Sequence, residues 1–221
     1  MDDFMKYIQT IIIAAVTLCS TALNAGTAEQ TKAVDEAFAQ INQSTREMST
    51  LSANFKQIKK FRILTSHMVL EGSLYINRAP FKLAWHIEKP VGYTAIISED
   101  RLLQWDRESD RTKEYKFSDN PVLGMIARIY HDILLGDFAA ITRDCDVSVD
   151  TPAHTLNVTP QAKSAMSKAV SKIVFIFNKD FRNLISVSID EAGGNSTTID
   201  FNDIKVNGTI PEKAWKTGND S

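Results

Sequence analysis

Cysteine is almost missing from this chain. Among 221 residues only Cys19 and Cys145 carry a thiol. A basic excess is missing as well: the formal net charge is −2, and no cluster of Lys and Arg offsets it. That excludes any electrostatic case for nucleic-acid binding. A long apolar run is missing too. The longest candidate, IIIAAVTLC from Ile11 to Cys19, is too short to span a bilayer but suits the core of a signal peptide. Strand–helix alternation, the mark of a parallel sheet, does not occur either.

The leader settles what the cysteines can do. Small residues follow the apolar run, which places cleavage after Ala25 or Ala22. Asp2 and Asp3 oppose the positive charge a leader wants, whereas a start at Met5 would give MKYIQT. Leu18 is too bulky for the lipoprotein cleavage site that would precede Cys19. The expectation is a signal peptide over residues 1–25 and one domain over 26–221 of an exported protein. The mature chain then holds Cys145 alone and can form no internal disulfide.

Signatures of catalysis are also lacking. His67, His86, His131 and His154 are scattered, with no metal-ligand spacing. There is no nucleophile elbow and no phosphate loop, and Gly193-Gly194 reads as a hairpin turn. Asp144 and Asp146 share a strand face, as a solvated edge would. No enzyme, no metal and no cofactor is the expectation.

What is present is alternation. Residues 28–48 have Val34, Phe38, Ile41 and Met48 at helical spacing. Strand patterns follow in quick succession: LSANFKQIKKF, MVLEGSLYIN, FKLAWHIE, GYTAIIS, LLQWD and RTKEYKF. Short connections between them predict an antiparallel meander. One segment interrupts it. From Pro121 to Leu135 nearly every residue is apolar, Gly136 stops the run, and such a helix must be buried on several sides. Strands then resume as DCDVSVD, HTLNVTP, KIVFIF, NLISVSID and TTIDFNDIKV. The result is a large antiparallel sheet with a leading helix and an apolar helix inserted mid-sheet. An ordinary sheet-plus-helix core and a cavity under a helical lid fit that pattern equally.

One residue breaks the alternation. In steps of two from Met68 the second strand reads Met68, Leu70, Gly72, Leu74, Ile76 and then Arg78. A guanidinium in line with the core either snorkels to solvent or bonds to the elements covering the sheet.

N-F-K-Q at 54–57, E-G-S-L-Y-I-N-R at 71–78, F-K-L-A-W at 81–85, Pro90 and Ile96-Ile97 resemble the LolA lipoprotein-carrier family. The apolar helix near 121, V-T-P at 158–160 and the D-x-x-G…T-x-I-D-F pattern at 190–201 fit as well. The family sets its arginine directly before proline; here Ala79 intervenes, and the match weakens after Phe201.

The resemblance implies a mainly β fold, an unclosed antiparallel β-barrel (half-barrel) covered by a helical lid. It implies a monomer that carries acylated lipoproteins, or another lipid cargo, from an inner-membrane ABC transporter complex to an outer-membrane acceptor lipoprotein. The cavity would be lined by Leu74, Ile76, Phe81, Leu83, Trp85 and Ile87. Met125, Ile126, Ile129 and Ile133 would form the lid, and Arg78 would latch it. The alternatives are a LolA-like paralogue for a glycolipid or pigment lipid, and a lipoprotein-sensing regulatory domain.

Overall fold

The computed structural model describes residues 28–120 and 144–218, with 123, 124, 127 and 131 between them. The leader over 1–25 and the lid residues Met125, Ile126, Ile129 and Ile133 lie outside the described residues.

Helix α1 spans Ala28–Glu47. Of the expected stripe Ile41 is buried, Phe38 packs against the same cluster and Val34 is half-buried, while Ala37, which the spacing did not single out, is buried as well. Met48, just beyond the helix, is also buried. Eleven strands follow: β1 (Thr50–Lys60), β2 (His67–Asn77), β3 (Lys82–Lys89), β4 (Tyr93–Ser98), β5 (Arg101–Asp106), β6 (Arg111–Lys116), β7 (Cys145–Asp150), β8 (Thr155–Pro160), β9 (Val170–Phe177), β10 (Leu184–Glu191) and β11 (Ser196–Val206). They form one antiparallel sheet in the order β6-β5-β4-β3-β2-β1-β11-β10-β9-β8-β7. Among the described residues the sheet does not close on itself, and β6 and β7 are its two edges.

The last strand therefore returns to pair with the first, Phe55 opposite Phe201. Register places Leu74 opposite Trp85 and Ile76 opposite Leu83, so the inward residues of neighbouring strands stand in rows. Gly72 is required in this array. A Cβ there would lie 1.8 Å from the His86 carbonyl oxygen and 2.9 Å from Cζ of Phe55. Its absence lets Phe55 stack on Trp85, with ring centroids 4.0 Å apart.

Two apolar clusters share the inner face. One gathers Phe55, Leu70, Leu74, Ile76, Phe81, Leu83 and Ile87 with the helical residues Leu123 and Ala127. The other sets α1 on Cys145, Leu156, Val158, Phe175 and Phe177. The outer face has a cover of its own. His86 Nε2 lies 2.8 Å from the Ala214 carbonyl, which accepts its hydrogen bond, and Lys82 Nζ sits 5.0 Å above the Trp215 ring. Residues 207–218 thus strap the back of β3–β5, where Ala84, Ile96 and Trp105 are buried.

Candidate functional site

Between the two clusters the packing is incomplete. A cavity of about 320 Å³ lies under the last turn of α1, against the start of β1, the ends of β2, β9 and β11, and the start of β10. Its walls are apolar: Ile41, Met48, Leu51, Ala53, Leu74, Ile76, Phe175, Phe177, Leu184, Phe201, Ile204 and Val206. Its rim is polar, with Ser44, Thr45, Glu47, Arg182, Asn183 and Asn207. Apolar walls with a few polar groups at the lip suit a ligand with an apolar body and a polar head.

Of the residues the sequence singles out, Leu74 and Ile76 stand in the cavity wall. Phe81, Leu83 and Ile87 are buried in the packed cluster beside it. Trp85 stands one layer behind the wall: its ring meets the cavity-lining Phe201 edge-on, with centroids 6.4 Å apart. Phe81 also packs edge-on against His131 of the helical segment, at 4.6 Å.

Arg78 bonds to the last turn of α1. Its Nη1 donates to the carbonyl of Thr45 in the last turn of α1, and its backbone N–H donates to the Ser49 carbonyl at 2.9 Å. The carbonyls of a helix's last turn have no partner within the helix, and the macrodipole concentrates negative charge there. A guanidinium that ends an apolar strand face is well suited to that position. The arginine holds α1 over the cavity, at the place where β2 reaches the helix.

Asn207 was not legible as a site residue. Its Nδ2 donates to the Glu47 carbonyl at 3.0 Å, and its Oδ1 accepts from the backbone N–H and hydroxyl of Ser49 at 2.7 and 2.9 Å. It adopts φ 59, a left-handed conformation that Asn tolerates better than most residues. The Val-Asn-Gly sequence after β11 signals a turn, but nothing in it signals a partner so remote in the chain.

Reactive groups are held away from catalysis. Burial pushes the Cys145 thiol up to about 11, so the thiolate is not its resting form. His86 is occupied on both ring nitrogens, by Thr94 Oγ1 at 3.0 Å and by Ala214. Among the described residues no three His, Cys, Asp or Glu side chains gather as metal ligands would.

With this geometry in view, the comparisons with known proteins are decisive for the family. The model of the family described as "Outer membrane lipoprotein carrier protein LolA" matches residues 46–217. The chain belongs to the LolA family. Its members are carriers, not enzymes. An outer-membrane lipoprotein carrier protein of Pseudomonas putida strain KT2440 is 21% identical over 218 residues, covering 96% of this chain and 94% of the relative. A second, from Pseudomonas putida strain W619, is 22% identical over 221 residues at the same coverage of both chains. Among solved structures, an uncharacterized conserved protein from Thermus thermophilus shares the fold with a TM-score of 0.52. That match has 11% identity and covers 85% of this chain and 96% of the other.

Proposed function

We propose that this LolA-family chain is an exported periplasmic carrier that receives lipoprotein acyl chains in the cavity under α1. It would take them from an inner-membrane ABC transporter complex and deliver them to an outer-membrane acceptor lipoprotein. The observation that carries this reading is an apolar cavity whose covering helix is fastened at its C-terminal turn by Arg78 and Asn207. A carrier without an energy source of its own needs binding that is strong against water yet easily reversed. Burial is worth about 0.8 kcal/mol per CH₂, so one chain of ~16 carbons gains about 12 kcal/mol over water. Exchange between two apolar sites cancels most of that gain. Small differences in the carrier then decide direction, and a hydrogen bond made only in the closed, empty form is such a difference. In this reading Phe81, Leu83, Trp85 and Ile87 become cavity wall when the lid, with Met125, Ile126, Ile129 and Ile133, moves aside. Mass spectrometry of lipid co-purified with the chain from periplasm tests the proposal. Acylated lipoprotein is the expected cargo. A glycolipid or pigment lipid would make the chain a paralogue with another load, and the absence of any lipid would sink the carrier reading.

A further inference from the structure

The β1–β2 hairpin ends in a feature that the cavity does not use. At its tip Ile63 is 85% exposed and Leu64 54%, the two most exposed large apolar side chains of the described residues. The tip is held in place: the Arg62 backbone N–H donates to Asn195 Oδ1 of the neighbouring β10–β11 hairpin at 3.1 Å. The surroundings are cationic. No Asp or Glu occurs from Gln57 through Leu70, while Lys60 and Arg62 are exposed beside the apolar pair. The β8–β9 connection at the same end of the sheet, residues 161–169, likewise holds no acid and exposes Lys163 and Lys168. Glu191, at the end of β10, is paired with Lys59 at 2.9 Å, and the exposed Asp190 beside it lies opposite Lys172 of β9.

We infer that this end of the sheet is a docking surface for an anionic lipid bilayer, with Ile63 and Leu64 entering the headgroup region and Lys60 and Arg62 on the lipid phosphates. An apolar tip ringed by cations is the chemistry that combines shallow insertion with attraction to anionic lipid. A specific protein interface buries about 800 Å² on each partner, far more than two side chains offer. A bilayer accepts a single tip. The cavity lies at the other end of β1 and β2, walled by Leu51 and Ile76, so a chain docked this way keeps the cavity away from the bilayer. The inference goes beyond the carrier reading and does not depend on it.

The test is flotation of the purified full chain with vesicles of phosphatidylcholine alone and with about 30% phosphatidylglycerol, at low and high salt. Binding to the anionic vesicles, weakened by salt, is expected. Ile63→Ser with Leu64→Ser should lower partition at least ten-fold. Lys60→Gln or Arg62→Gln should lower it about five-fold each, equivalent to the ~1 kcal/mol of one cation near an anionic surface. Binding through the N-terminal leader would be common to all variants and cancels in the comparison. Both positions are exposed, so thermal melts should be unchanged and uptake of a fluorescent fatty acid intact. Equal partition of the parent chain and the Ser pair overturns the inference. So does a Ser pair that floats as the parent does yet loses a protein contact. Loss of fatty-acid uptake by the parent chain itself would refute the carrier reading and leave this one standing.

Discussion

Arg78 and His86 sit on opposite faces of the sheet, and each fixes a segment that the ladder does not hold. Arg78 bonds to the Thr45 carbonyl of α1, a contact that the proposed carrier cycle would break when the helix lifts from the cavity. A hydrogen bond to a charged group contributes roughly 1.5–3 kcal/mol, so Arg78→Leu should shift the helix toward the open form by about ten- to a hundred-fold. The leucine also extends the apolar wall. The variant should accept cargo as the parent does, release it poorly and accumulate loaded, with Arg78→Lys intermediate because a point charge replaces a planar fork. Transfer from purified loaded carrier to an acceptor is the measurement; unchanged transfer would return this arginine to simple snorkelling.

His86 gives a pH dependence of definite sign. Burial lowers its pKa from the ordinary 6.5, while the Ala214 carbonyl and the charge of Glu88 act weakly in the opposite direction. Below 6.5 the unfolded chain takes up a proton that the folded chain resists, so stability is full above that pH and falls as pH drops toward the folded-state value. Melting temperatures at pH of about 7.5, 6.5 and 5.5 should decline across the last interval. The decline should be smaller in His86→Gln, which cannot titrate; an identical decline would clear His86 of the effect.

At the scale of elements, sequence and structure agree closely, for a physical reason. Alternating burial writes strands into a sequence with a period of two, and each strand expected from such a run is present, from β1 to β11. Where the inward row turns polar that signal fails. Gln57 and Lys59 continue the face of Ala53 and Phe55 and are 0% and 2% exposed, yet they read as surface residues. The strap is invisible for another reason: residues 207–218 hold by single contacts such as Ala214 and Trp215, which have no period. Gly72 offers an element-scale test. Gly72→Ala drives a methyl into the β3 backbone and the Phe55 ring, an overpacking that should cost about 3 kcal/mol and lower the melting temperature by roughly 6–12 °C. Tolerance of alanine would mean that the strands yield at this point. Trp85 offers another: its fluorescence should change with acylated cargo and not with the unacylated form, because the ring sits against Phe201 of the cavity wall. Equal responses to both forms would remove the lipid from that wall.

For the molecule as a whole, edges and order matter more than any single strand. The two edges carry charge, Arg111, Lys113, Glu114 and Lys116 on β6 and Asp146 and Asp150 on β7, which discourages pairing with other sheets. The strand order itself was not legible, since short turns predict neighbours in the chain but not the return of the final strand to the first. That return has a kinetic meaning. β1 sits in the middle of the sheet, and its second partner is made last: Phe55 must wait for Phe201. Until β11 has left the ribosome the sheet exists only as two unjoined halves, and contacts this distant in sequence form slowly. Refolding from denaturant should accordingly fall in the millisecond-to-second range, read by stopped-flow fluorescence, rather than in microseconds. In the exported carrier proposed above, such a topology would keep the chain slack during passage through a translocase, because the strand that draws it tight is the last to arrive.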